Sequence, residues 1–226
     1  MSTIRESQPK RAKAPSADEL LAVLRDRIAN HDLTPGSKLR ERDLVEEFEA
    51  PRARIREVLG ALAERGLIER IPNRGAIVAR LDLDQAFDLF DIRQVLEALS
   101  ARLATEKQAP ESWQDLVELF GEPTEAIVEA GDLEEYIKRL GVLRKRMIEG
   151  AENPILEELL NGLYDRTRVL IQRLVMLPGR ARQGLAQHQR TLAAMRRGDA
   201  TEAERLQREN IRSARDSFQQ YHKFVL

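Results

Sequence analysis

The chain has 226 residues, enough for one large domain or two small ones. Hydrophobic residues make up 42% and charged residues 33%, the balance of a packed helical core beneath a heavily charged surface. Its apolar runs fall well short of the ~20 residues that span a bilayer, Met1 to Pro15 lacks the apolar stretch of a secretory signal, and the absence of cysteine excludes disulfides and thiolate chemistry, so a cytoplasmic protein is expected.

The net charge of -1 is unevenly divided. Residues 1–80 hold 16 Lys and Arg against 13 Asp and Glu, whereas residues 81–226 hold 21 against 25. Residues 51–80 alone hold seven arginines and three glutamates. A basic segment in an otherwise acidic chain is the electrostatic footprint of a polyanionic partner.

Residues 1–15, with Arg5, Lys10, Arg11 and Lys13, read as a disordered arm, either a solvated tail or one that touches phosphates. Ser16 and Glu19 form a capping box, and Leu20, Leu21, Leu24 and Ile28 give the helix to Ala29 one apolar face. Leu33 to Ser37 is a turn. A short helix from about Glu41 to Phe48 turns Leu44, Val45 and Phe48 inward. Pro51 suits the first turn of a third helix, whose face of Ile55, Val58, Leu59 and Leu62 ends at Gly66. Residues 67–71, the turn 72–75 and residues 76–78 read as a β-hairpin. Three helices and a two-stranded wing thus make one unit over 16–80.

Beyond Arg80 the patterns are helical only, over 84–108, 112–120, 124–130, 132–150, from Asn153-Pro154 to Pro178-Gly179, 180–197, and from Asp199 to about Phe224. The fold class predicted is mainly α: a winged helix-turn-helix followed by an all-helical antiparallel bundle over 81–226.

The tight Glu49-Ala50 turn between the second and third helices is that of a helix-turn-helix. Arg52 and Arg56, four residues apart, share the face opposite Ile55, Val58, Leu59 and Leu62. Arginines there can give bidentate hydrogen bonds to guanine O6 and N7 in the major groove. Arg54 lies to one side, where phosphate is the expected partner. Asn73 and Arg74 at the hairpin tip can reach the flanking backbone or minor groove. The alternative is a solvated, salt-bridged face, for example with Glu57.

Leu33-Thr-Pro-Gly-Ser-Lys-Leu39, Glu41-Arg-Asp-Leu44, Arg56-Glu-Val-Leu59, Leu62, Arg65-Gly-Leu67 and Pro72-Asn-Arg-Gly75 together resemble the GntR family of bacterial regulators. Asp91-Ile-Arg-Gln-Val-Leu-Glu97, Ala151-Glu-Asn-Pro154, Gln187-His188 and Arg197-Gly-Asp199 resemble its FCD subfamily, to which the fatty-acid-responsive regulator is related. The resemblance implies a homodimer on a short palindromic operator in double-stranded DNA, with Arg42, Arg52 and Arg56 at the family's DNA-contacting positions. One departure is Ala50-Pro51-Arg52, where the family usually has Val-Ser-Arg. The lost serine removes a cap and a possible phosphate contact.

In the helical part, four polar residues fall in apolar stripes. Arg93 lies among Leu89, Ile92, Leu96 and Leu99, Arg144 between Leu140 and Met147, His188 between Leu185 and Leu192, and Asn210 between Leu206 and Ala214. Buried polar groups cost free energy unless paired. Each could be satisfied locally, as Arg93 by Glu97 at i+4, or lie at a dimer interface; four inward-facing groups on four helices instead suggest one polar pocket. Many FCD relatives hold a divalent metal with an aspartate, a histidine one turn later, and histidines on the last two helices. The resemblance places Leu140, Arg144, His188 and Asn210 at those positions, and one imidazole beside a permanent cation cannot hold the metal. Neither metal nor cofactor is therefore expected.

Arg93, Arg144, His188 and Asn210 are the expected effector-binding residues, and the expected effector is a small organic acid or an acyl compound with an anionic head. The function expected is a ligand-responsive DNA-binding regulator, a repressor of a metabolic operon, with no membrane partner. A regulator with a degenerate, ligand-free pocket is one alternative. A small-molecule enzyme is another, but no carboxylate pair, nucleophile elbow or phosphate loop accompanies the Arg and His.

Overall fold

The computed structural model describes residues 14–29, 32–71 and 75–225. The chain divides into two compact units, Met1–Arg80 and Leu81–Leu226. The expected arm lies outside the described residues, except for Ala14 and Pro15.

In the first unit α1 (Ala17–Ala29) begins at the capping box: Ser16 Oγ accepts from the Glu19 amide at 3.2 Å, and Glu19 returns an oxygen to the Ser16 amide at 2.7 Å. Next come β1 (Lys38–Leu39), α2 (Glu41–Phe48), α3 (Arg52–Glu64), β2 (Ile68–Ile71) and β3 (Gly75–Val78). The sheet is antiparallel with order β1-β3-β2, so the wing has three strands and not two. Lys38–Leu39 is too short for a period-2 pattern to reveal it. Its pairing, Leu39 opposite Ala76, needs a close approach at Gly75, where a Cβ would lie 2.5 Å from the Leu39 carbonyl oxygen. Leu20, Leu24, Ile55, Val58, Leu62 and Val78 are among the side chains of the core. Pro51 stands at the N-cap of α3, one residue before the expected place, and no side chain caps that helix.

In the second unit α4 (Leu83–Lys107) is followed by a short 3-10 turn at Pro110–Trp113, α5 (Gln114–Leu119), α6 (Glu122–Ala130), α7 (Leu133–Gly150), α8 (Pro154–Val175), α9 (Arg180–Arg196) and α10 (Ala200–Val225). Asp82, Asp132 and Asn153 cap α4, α7 and α8 by accepting from the amide three residues on. Two apolar clusters hold the bundle. One surrounds Trp113, Phe120 and Leu160, the other Phe90, Leu170 and Phe218. The face that α4 buries includes Ala86, Ala98, Ala101 and Ala104, small residues that let neighbouring helices approach closely. Ile92, expected in the inward stripe, is instead 49% exposed, and the neighbouring Val95 is 48% exposed. The buried stripe runs through Leu89, Arg93, Glu97 and Ser100, and this phase turns Ile92 and Val95 outward.

Candidate functional site

The first candidate site is the outer face of α2 and α3. Glu49, left-handed at φ 47, turns the chain between them. Ile55, Val58, Leu59 and Leu62 anchor α3 from below, which leaves Arg52 and Arg56 outward with side chains 65% and 59% exposed. Both reach one carboxylate oxygen, Glu41 Oε2, through Nε, at 3.3 Å for Arg52 and 2.9 Å for Arg56. The ion pairing therefore uses Glu41 of α2 and not the Glu57 that the sequence offered. Because Nε makes these contacts, the terminal nitrogens of both guanidinium groups can still meet another acceptor. Arg42 is 81% exposed beside Asp43.

Arg54 is half-buried, and its Nη1 donates to the Pro15 carbonyl at 2.7 Å. This guanidinium ties the start of α1 to α3 through Nη1, and its remaining nitrogens can still meet a phosphate. Asn73 and Arg74 lie outside the described residues. Arg70 of β2 was not singled out in the sequence; it is exposed and donates to the Arg56 carbonyl at 3.0 Å. Its alternation with Glu69 and Ile71 gave no signal beyond that of a strand residue.

The second candidate site is a cavity of about 90 Å³ inside the helical unit. Arg93, Arg144, His188 and Asn210, from α4, α7, α9 and α10, all line it, together with Glu97, Tyr136, Tyr164, Arg180 and Gln207. Arg93 Nε and Nη2 both donate to Glu97 Oε1 at 2.8 Å, the i+4 pairing anticipated from the sequence. Glu97 Oε2 accepts from Gln207 Nε2 at 3.1 Å. The Arg144 guanidinium lies 3.7 Å from the centre of the Tyr164 ring, a cation–π stack.

Arg180, at the start of α9, extends Nη2 toward Asn210 Oδ1 and Nη1 toward Gln187 Oε1, both at 3.4 Å. Gly184, one turn along, makes room for it: a Cβ there would sit 3.0 Å from Arg180 Nη1 and 3.3 Å from the Tyr136 hydroxyl. Asn210 Nδ2 lies 3.4 Å from the His188 ring nitrogens. Burial, then the nearby cations Arg180 and Arg144, push the His188 pKa down to about 3, so the ring is neutral at physiological pH. Burial, reinforced by Arg93, also lowers the pKa of Arg180 from its ordinary value. Burial raises the phenols of Tyr136 and Tyr164.

These residues do not fit a divalent metal. Leu140 offers no ligand atom, Arg144 and Arg180 place fixed cations in the cavity, and its one carboxylate is already held by Arg93 and Gln207. Among the described residues no group of three or more His, Cys, Asp and Glu is placed to hold a metal ion. What the cavity can do is hydrogen-bond and charge-match an anion, because guanidinium groups outnumber carboxylates in its lining.

Residues 16–78 match the bacterial regulatory proteins of the gntR family, and residues 88–213 match the FCD domain. The galactonate operon transcriptional repressor of Escherichia coli is 27% identical over 212 residues, covering 83% of this chain and 90% of that protein. The transcriptional repressor RspR of Escherichia coli is 33% identical over 106 residues, 45% of this chain and 46% of its own length, so this alignment spans about half of that relative. The structure of E. coli McbR/YncC superposes with a TM-score of 0.74 at 24% identity, over 91% of this chain and 98% of that one, and shows the same fold. Among the described residues no helix is long and apolar enough to cross a membrane.

Proposed function

Since the chain belongs to the GntR family and carries its FCD domain, a DNA-binding transcriptional regulator and not an enzyme, we propose that it is a cytoplasmic homodimeric repressor of a metabolic operon, released or engaged by a small organic anion. Arg52 and Arg56 read base edges in the two half-sites of a palindrome, with Arg42 and the wing-tip residues Asn73 and Arg74 on flanking contacts and Arg54 positioning the readout helix. A lone winged helix makes too few contacts for tight specific binding, and two linked copies gain by effective concentration. The helical unit carries the effector and the dimer contact, and the half-exposed Ile92 and Val95 supply an apolar patch for the latter.

The observation that carries the sensing role is the meeting of Arg93, Arg144, His188 and Asn210 in one cavity, joined there by Arg180. The names of the relatives, a galactonate operon repressor among them, support a metabolic operon. A thermal-shift series with small carboxylic acids tests the reading. An acid that binds only the folded chain raises Tm with concentration, and a series with no shift contradicts it. The Arg93–Glu97 pair favours a second reading, in which the polar groups satisfy one another and the cavity takes no ligand; that absence of shift is its expected result.

A further inference from the structure

We propose that the cavity of the helical unit is a site for a compact dianion, a hydroxylated dicarboxylate of about three or four carbons, held between Arg144 and Arg180. This rests on the reading of the cavity as an anion site and adds the charge and size of the ligand.

The charges on the lining give the first argument. Arg93, Arg144, Arg180 and Glu97 line the space. Glu97 is occupied by Arg93 on one oxygen and Gln207 on the other. Arg144 rests on the face of Tyr164, and Arg180 reaches two amide oxygens at 3.4 Å. Among the described residues no carboxylate pairs with either, so two cations stand without counter-charge. In a poorly solvated cavity such charges act strongly on each other and on a ligand. A monoanion cancels one of them and a dianion cancels both. Each guanidinium presents a planar fork that matches one carboxylate. Arg144 is on α7 and Arg180 on α9, an arrangement that suits two separate carboxylates.

Size and polarity narrow the class. A cavity of about 90 Å³ has room for roughly six to nine water-sized groups, which matches a compact acid of a few carbons. Ser100 Oγ and Gln207 Oε1 are buried in the same lining without a partner among the described residues. The Gln207 amide is oriented by its donation to Glu97, so Oε1 needs a donor. A carboxylate has none at neutral pH, but a ligand hydroxyl does.

Isothermal titration calorimetry of the full chain with malate, succinate, lactate and inorganic phosphate tests this. Malate is expected to bind at least about tenfold more tightly than lactate, because a second charged contact is made. Arg144→Gln and Arg180→Gln should each weaken malate by about tenfold or more, whereas lactate responds to one of them alone. The ranking on the unaltered protein stands even if a variant fails to fold. Lactate binding as tightly as malate overturns the dianion, and phosphate binding as tightly overturns the two-carboxylate clamp. Succinate matching malate overturns the hydroxyl. If none of the four binds, the anion site itself is wrong, which is a different failure from a wrong charge count.

Discussion

Replacing Glu41 by glutamine should blunt the sequence preference of this regulator while making it bind arbitrary DNA more tightly. Glu41 Oε2 holds Nε of Arg52 at 3.3 Å and Nε of Arg56 at 2.9 Å, so one carboxylate orients two readout side chains and leaves their terminal nitrogens outward. Both arginines are more than half exposed, and pairs of that kind contribute about 0.2–1 kcal/mol each. If all of that orienting energy is expressed in the complex, losing both contacts costs at most about 2 kcal/mol of specific binding, or about thirtyfold in affinity. Removing a negative charge from the face that meets phosphates acts in the opposite sense on non-specific binding. The two effects combine in the specificity ratio, which should fall on both counts. Fluorescence anisotropy with the protein's own promoter fragment and a scrambled fragment, each at two salt concentrations, measures that ratio. An unchanged ratio in Glu41→Gln, with unchanged affinity for the scrambled fragment, would refute the idea that Glu41 sets the two arginines.

Arg52→Ala and Arg56→Ala should each lose about 1–3 kcal/mol of base discrimination with the melting temperature unaltered, since neither side chain enters the core; wild-type preference in both variants would move the readout elsewhere. The full chain should sediment as a dimer at micromolar concentration and Ile92→Glu should dissociate it, whereas an unaltered dimer would remove Ile92 from the interface. His188 gives a signed pH effect. In the folded chain it stays neutral down to about 3, while unfolded histidine protonates near 6.5, so the unfolded state binds the extra proton between those values. The stability it contributes is complete above about pH 6.5 and is lost as pH falls toward about 3, at no more than about 1.4 kcal/mol per pH unit. Urea denaturation across that window should show a shallower decline for His188→Gln, and identical slopes would contradict the burial of a neutral ring.

Much of this architecture can be read from the sequence because its boundaries carry strong local chemistry. The Ser16–Glu19 box and the caps at Asp132 and Asn153 sit where helices begin, and Gly66 stands just beyond the end of α3. The four polar residues of the cavity stood out because apolar neighbours one turn away on either side made them conspicuous. Arg180 did not, because it opens α9 directly after Pro178-Gly179, where no apolar stripe frames it. Tyr136 and Tyr164, buried aromatic residues, carry no sequence signal that separates a cavity lining from a core. The phase of α4 is hard to read because alanines carry much of its buried face, so the large side chain of Ile92 suggests an inward stripe that the helix does not bury. The pairing of Glu41 with Arg52 and Arg56 joins two helices, and spacing along one helix cannot reveal it.

A sensor of this kind requires a coupling between the cavity and the DNA-reading face. An anion can shift that equilibrium only by its differential affinity for the DNA-bound and DNA-free forms. The most direct measurement is the affinity of the full chain for its promoter DNA, by fluorescence anisotropy, with and without saturating malate. The expected result is a change of about fivefold or more, in either direction, that disappears in Arg144→Gln and Arg180→Gln. DNA affinity that stays the same in the unaltered protein while calorimetry shows malate bound would contradict it.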